Sequence, residues 1–306
     1  GGGINNSVSS VRNSSEAELY NQVISRMDKF LKLGTTTIEA KSGYGLNTES
    51  ELKSLKVLHE VKLNHQIDIV PTFMGAHAVP KEYNGDVDSY VDLICDSMIP
   101  KVAEQGIAIF NDVFCEKGYF NLDQSERILK KGLEYGLLPR IHSDEFNNLG
   151  GTKLAGRLKL ISADHLMNIE KDDIDIMADS NTKAVLLPGT TFFLGHSNYA
   201  PYHKLKEAGI EVAIATDYNP GSCNIQSMIF IVTLATIFMK MDIIDALCSS
   251  TYIPSKLLNV DNVCGSIEEG KSADIIVWDI FEPIQIPYHF STSPIKSVIK
   301  SGKIIF

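Results

Sequence analysis

Seven short runs of β-branched or continuously apolar residues, each closed by a polar or glycine cluster and followed by a longer segment with helical spacing, constrain this chain more than any other feature. Such alternation builds βα units and therefore a parallel sheet. The runs cover residues 35–40, 68–74, 107–114, 138–143, 160–165, 183–188 and 211–216, with helical patterns between them, for example over 14–33, 49–64 and 86–104. A Ser14, Ser15 and Glu16 cluster supplies an N-cap for the first of these helices. Seven parallel strands fit either an open doubly wound sheet or a barrel, and the placement of polar residues separates the two. An open sheet gathers its chemistry at one switch point, whereas a barrel gathers it at the carboxyl ends of many strands. Here strand after strand ends in reactive residues: Lys41, Ser42 and Tyr44; His77; Asp112 and Glu116; His142, Asp144 and Glu145; Asp164 and His165; Asp217 and Asn219. The expectation is an α/β fold, a (β/α)8 TIM-type barrel whose first strand is missing from this chain and belongs before Gly1.

From Cys264 onward the pattern changes to short antiparallel strands with hairpin signals: Ile267, residues 273–278, and 295–299 turning at Ser301 and Gly302 into 304–306. The expected division is therefore a barrel over 1–263 and part of a small β-sandwich over 264–306. A length of 306 residues suits one large core. The net charge of −10 disfavours nucleic acid and anionic membrane as partners and leaves a small molecule as the better partner, with a homodimer left open. The longest apolar run, residues 228–239, is too short to span a bilayer and reads as a core helix. Five cysteines with no CxxC spacing read as buried thiols in a reducing, cytoplasmic setting, and no secretory signal opens the sequence.

Eight histidines are present, with no HxH or HExxH pair among them. His59 and His65 fall on or just after a helical pattern and read as solvated. His77, His142 and His165 each close a strand, where imidazole is suited to metal ligation or proton transfer. Asp217 closes the last strand and could ligate a metal or move a proton. Glu145 stands three residues after His142, the position of a carboxylate beside a metal-bound water; Glu145 and Asp144 are equally readable as capping or solvated loop acids.

Seven motifs carry a family resemblance: KSGYG at 41–45, TFMGAHAVP at 72–80, DVFCEKGYF at 112–120, HSDEF at 142–146, SADHL at 162–166, LLPGTTFFL at 186–194 and ATDYNPGS at 215–222. In this order they resemble the imidazolonepropionases, a family of the amidohydrolase superfamily, and even GGGI with Val8, Arg12 and Ser15 resembles an internal segment of it. The resemblance runs from Gly1 to Phe306. It implies a metal-dependent barrel with a small β-sandwich built from both chain ends, using one Zn2+ or Fe3+ ion. The implied reaction is hydrolysis of 4-imidazolone-5-propanoate to N-formimidoyl-L-glutamate in histidine breakdown. Carried onto this chain, it makes His142 and Asp217 metal ligands, Glu145, His165 and Asp217 the groups that orient or deprotonate water, and Tyr44, His77, Asn219 and Gly221 substrate contacts.

One departure from the family stands out. The family's HxH pair and a substrate-binding arginine belong to a segment ahead of Gly1, so the chain reads as part of one of roughly 400 residues, counting one more barrel strand and half a sandwich. Two ligands alone fall short of the usual three or four. The alternatives are another cyclic-amide hydrolase or aminohydrolase of the superfamily, and a non-catalytic barrel. The GAHAVP and KSGYG runs argue against the first, and the joint presence of His142, Glu145, His165 and Asp217 against the second.

Overall fold

The computed structural model describes residues 4–83 and 85–305. Seven strands, β1 (Thr37–Lys41), β2 (Asp68–Ala76), β3 (Phe110–Cys115), β4 (Leu138–Ser143), β5 (Ser162–His165), β6 (Lys183–Leu186) and β7 (Val212–Ile214), form one parallel sheet in sequential order. The strand order never reverses, so the sheet has no switch point of the doubly wound kind. It curls instead. Tyr218, just beyond β7, packs against the same apolar cluster as Ile38 and Ala40 of β1, and its ring meets Phe30 edge-on at 5.5 Å. The two ends of the sheet thus approach each other, as a barrel requires.

All seven expected strands are present, with boundaries moved by a few residues. The helical pattern over 14–33 is α2 (Glu16–Lys32), and a further helix that the pattern does not include, α1 (Asn5–Asn13), precedes it. Ser15 is the N-cap of α2, and the partner in its capping box is Glu18. The polar sequence of α1 escapes periodicity because the helix is held by tertiary contacts: Val8 is buried, and the Lys53 ammonium caps the carbonyls of Val11, Arg12 and Ser14. The pattern over 86–104 is broken into Val87–Leu93, a π-type turn at Ile94–Met98, and Ile99–Gln105. Pro100 has no N–H to continue the α-helical ladder, and the wider turn before it absorbs the lost bond.

Strands β8 (Ile275–Trp278), β9 (Ile295–Lys300) and β10 (Lys303–Ile304) pair antiparallel in the order β10-β9-β8. Ile267 lies outside them and is largely exposed, and Phe306 lies outside the described residues. The small sheet abuts the amino ends of β1 and β2. Gly34 leaves no room for a side chain against Ile276 and Ile295, and Trp278 and Ile295 pack onto the main core. The reading of all five cysteines as buried needs one correction, since Cys248 is exposed on its helix. His65 is likewise not free in solvent: its ring nitrogens engage Asp28 and the Ile67 amide, so it ties α2 to the start of β2. The helix Met228–Phe238 is the expected core helix, and no helix among the described residues is long and apolar enough to cross a membrane.

The Lys300 ammonium, nearly fully buried, lies between the carboxylates of Asp68 at the start of β2 and Asp274 before β8. Lys300→Met should leave Asp274 buried without its cation and cost about 2 kcal/mol in urea unfolding, below the range for fully buried pairs because Asp68 is half exposed. A midpoint unchanged within error would mean that the small sheet is not anchored through Lys300.

Candidate active site

Period-two alternation turns Glu39 and Lys41 of β1, Thr72 of β2, Asp112 of β3, Arg140 and His142 of β4, and Ser162 and Asp164 of β5 to the inside of the curled sheet. They form a continuous polar network. Lys41 Nζ meets Glu39 Oε1 at 2.7 Å and Asp112 Oδ2 at 2.8 Å, and Arg140 Nη1 meets Glu39 Oε2 at 3.0 Å. Arg140 also reaches Asp164 at 3.6 Å and donates to Ser162 Oγ at 3.0 Å. Burial alone would strip the Lys41 charge, but Asp112 and Glu39 outweigh it and hold its pKa above the ordinary value. Burial likewise opposes the Glu39 carboxylate, and Arg140 and Lys41 keep its pKa low.

This network holds His142. Its Nδ1 lies 3.0 Å from Asp112 Oδ1, which leaves Nε2 uncommitted. Burial disfavours the charged ring, yet the adjoining Asp112 carboxylate, with Asp164 behind it, raises the His142 pKa to about 9. Asp112, His142 and Asp164 offer ligand atoms within 4.8 Å of one another and could by spacing hold a metal. The oxygens of both carboxylates are already engaged by Lys41, Arg140, Ser162 and His142, however, so we read the aspartates as the support that orients His142.

Above the network, Glu145 and His165 meet with Oε2 and Nε2 3.6 Å apart. Burial, then the charge of Asp217, pushes the Glu145 pKa up to about 8. Burial and the neighbouring His142, with ring centroids 5.1 Å apart, keep His165 neutral well below the usual histidine value. Asp217 accepts from Thr190 Oγ1 at 2.5 Å through Oδ2 alone, and burial raises its pKa. Of ten described non-glycine residues with positive φ, four stand here: Asp144 at 55°, His165 at 81°, Leu166 at 64° and Asp217 at 50°. Backbone strain gathered at strand ends is a mark of a functional site.

Tyr44 and His77 stand edge to face, ring centroids 5.0 Å apart, on the β1 and β2 side. Burial and then Asp217 raise the Tyr44 pKa, and burial followed by His142 lowers that of His77 to about 4. Asn219 spends its side chain on its own loop: Oδ1 accepts from the Gly221 and Ser222 amides at 2.8 and 2.7 Å, and Nδ2 donates to the Asp217 carbonyl at 2.7 Å. Tyr44, His77, His142, Glu145, His165 and Asp217 are thus linked by ring contacts or mutual charge effects, whereas Asn219 and Gly221 shape the Asp217 loop.

Sequence reasoning missed three groups. Glu116 was visible as a polar strand end but had no role; its Oε2 accepts from the Phe146 and Asn147 amides at 2.9 and 3.2 Å, fixing the loop that carries Glu145. Asn168 Nδ2 donates to the Glu145 carbonyl at 2.8 Å from the next loop. Arg140 sits inside a strand, where only the strand alternation in HisSer and ArgIle pairs could have signalled that it shares the face of His142.

The comparisons with known proteins agree with this geometry. Residues 140–305 match the amidohydrolase family model. In solved structures the fold is that of a mutant of atrazine chlorohydrolase TrzN from Arthrobacter aurescens TC1 complexed with zinc and atraton, with TM-score 0.73 at 15% identity over 95% of this chain and 72% of that one. An adenosine deaminase from Xanthomonas campestris with bound zinc gives TM-score 0.71 at 18% identity over 96% and 71%. Fold and site together define an amidohydrolase, a hydrolytic enzyme. Within that class the chain is 43% identical over 305 residues to the imidazolonepropionase of Alkaliphilus metalliredigens, covering 100% of this chain and 72% of that protein. The imidazolonepropionase of Shewanella putrefaciens is 40% identical, with 75% of it covered. The chain belongs to the imidazolonepropionase family.

A zinc-type donor set is available on this chain. Among the described residues, His142 has its Nδ1 anchored and its Nε2 without a partner, and Asp217 has one oxygen committed and no partner at the other. Carboxylate and imidazole, the latter once its proton is displaced, are donors that zinc takes, so His142 and Asp217 suit the ion by donor type. Arg140→Met should strand the buried Glu39 and Asp164 charges and cost about 3 to 5 kcal/mol in denaturant unfolding. A loss under about 1 kcal/mol would show that the network is only lightly coupled to folding.

Proposed function

We propose that this protein opens the ring of 4-imidazolone-5-propanoate to N-formimidoyl-L-glutamate in histidine breakdown. What supports the reading most is the meeting of Glu145 and His165 beside His142 and Asp217, in a chain similar over its whole length to imidazolonepropionases. His142 and Asp217 would hold one Zn2+ or Fe3+ ion, which when bound lowers the pKa of water and polarises the ring carbonyl. Glu145 takes the proton of the attacking water; a carboxylate whose pKa is raised to about 8 is poised for that exchange near neutral pH. His165, kept neutral by burial, orients the water and Glu145 through its Nε2. As the carbonyl–nitrogen bond breaks, Glu145 returns the proton to the departing nitrogen, and the carbonyl carbon becomes the new carboxylate. Asp217 shares in steering the proton through its charge on Glu145.

Tyr44 and His77 contact the substrate, with the Tyr44 hydroxyl as donor to the propanoate arm, and Asn219 with Gly221 walls the ring side through the Asp217 loop. We further propose that residues 1–263 act as the barrel unit and 264–306 as part of a smaller β domain. All five cysteines are free, which supports a cytoplasmic setting.

The test is turnover of 4-imidazolone-5-propanoate by the full chain as its gene encodes it, with N-formimidoyl-L-glutamate identified as product. Glu145→Gln keeps shape but loses basicity, so turnover should fall by about 10² to 10⁴ with metal content unchanged. His142→Ala should instead strip most of the metal. Turnover of Glu145→Gln near wild type would assign the proton to His165 or Asp217.

A further inference from the structure

The loop that carries Tyr44 is held by two groups that the reaction does not touch. Glu51, in the first turn of α3 (Thr48–Asn64), is fully buried. Its carboxylate accepts from the Gly43 amide at 2.7 Å through Oε2, and from the Gly45 and Leu46 amides at 2.9 Å each through Oε1. No cation is in contact with it among the described residues, so these three N–H donors and the positive end of α3 are what stabilise the charge. Arg12 of α1 takes the other side of the same turn. Its Nε donates to the Gly45 carbonyl at 2.7 Å, and its Nη2 to the Leu46 carbonyl at 3.2 Å and to Glu82 Oε1 at 2.6 Å. The amides of the turn are thus fixed by an anion and its carbonyls by a cation.

Two glycines allow this wrapping. Gly43 has φ of +101°, and a Cβ there would lie 2.6 Å from the Met74 carbonyl; a Cβ at Gly45 would lie 2.3 Å from Ser50 Cβ. The turn in turn sets both aromatic contacts. Tyr44 is part of it, and His77 Nδ1 lies 3.0 Å from the Gly43 carbonyl, which can only accept, so Nδ1 carries the proton and Nε2 is left free. A shift of this turn therefore moves the Tyr44 ring and releases the His77 tautomer together.

We infer that Glu51 is a positioning residue for substrate recognition, holding with Arg12 the loop that presents the Tyr44 hydroxyl to the negatively charged arm of the substrate and that fixes the His77 ring beside it through the Gly43 carbonyl. This rests on the assignment of Tyr44 and His77 as substrate contacts above. A purely structural role for Glu51 would lower stability without distinguishing one substrate from another. In the full chain as its gene encodes it, Glu51→Gln replaces one acceptor oxygen by an NH2 that opposes a backbone N–H. Amide exchange over residues 43–46 should accelerate at least about tenfold, KM for 4-imidazolone-5-propanoate should rise about tenfold, and kcat should stay within about threefold. An imidazolone lacking the propanoate arm should change its KM by less than about twofold. Glu51→Asp, which keeps the charge one methylene short, should recover part of the KM. Arg12→Gln, on a side chain 25% exposed, should shift KM in the same direction more weakly, and it carries the test if Glu51→Gln does not fold. Faster exchange with an unchanged KM, or equal KM changes for both compounds, would overturn the inference. A wild-type protein that does not turn over imidazolone propanoate would overturn the functional reading instead, while the exchange rates still report whether the clamp exists.

Discussion

The rest of the site depends on the pairing of two cations with three carboxylates at the centre of the curled sheet. Lys41 and Arg140 are both taken from water, and each on its own would be costly to bury. They meet Glu39 and Asp112 at 2.7 to 3.0 Å and Asp164 at 3.6 to 3.9 Å, which leaves one surplus negative charge facing the His142 ring. Where TIM-type barrels usually fill this layer with branched apolar residues, this chain uses an ionic one. The consequence is geometric. An apolar layer could not grip an imidazole nitrogen, whereas Asp112, itself held by Lys41, fixes which nitrogen of His142 faces the chemistry.

The same device recurs in the loops above. Glu116 holds the turn bearing Glu145, and Glu51 holds the turn bearing Tyr44, each by accepting backbone amides, and those of Gly43, Gly45 and Leu46 would otherwise be unpaired in a buried setting. Loops at the mouth of a barrel are the mobile part of such folds. Buried carboxylates convert them into fixed supports, and the positive φ values at Asp144 and Asp217 are backed by hydrogen bonds of their own, from the Asn168 amide to the Asp144 carbonyl at 2.9 Å and from Asn219 Nδ2 to the Asp217 carbonyl at 2.7 Å. Preorganisation of this kind lets a short proton path between Glu145 and its neighbours work without rearrangement at each turnover.

Much of this was legible from the residues. Residues 138–143 are β4 to the residue, and every other expected strand overlaps an observed one. His77, His142, Glu145, His165 and Asp217 were singled out because they close strands, and the structure joins them electrostatically. The errors share a cause. Helix α1 and the break before Pro100 were missed because their local pattern is weak or misleading, and contacts distant in sequence decide them. Cys248 was misplaced because a small apolar residue on a helix carries no sign of which way it faces.

Periodicity by itself determined seven parallel strands and the end of the sheet at which chemistry collects, since alternation and strand order depend only on neighbours along the chain. The tertiary structure alone decided which charges meet. Glu51 and Gly43, Glu116 and Asn147, and Arg140 and Glu39 are 8, 31 and 101 residues apart in sequence. A carboxylate in a sequence looks the same whether it is solvated or gripping three buried amides, because its partners are backbone groups that every residue possesses. Only folding, by removing water and bringing one turn against another helix, gives such a residue its role.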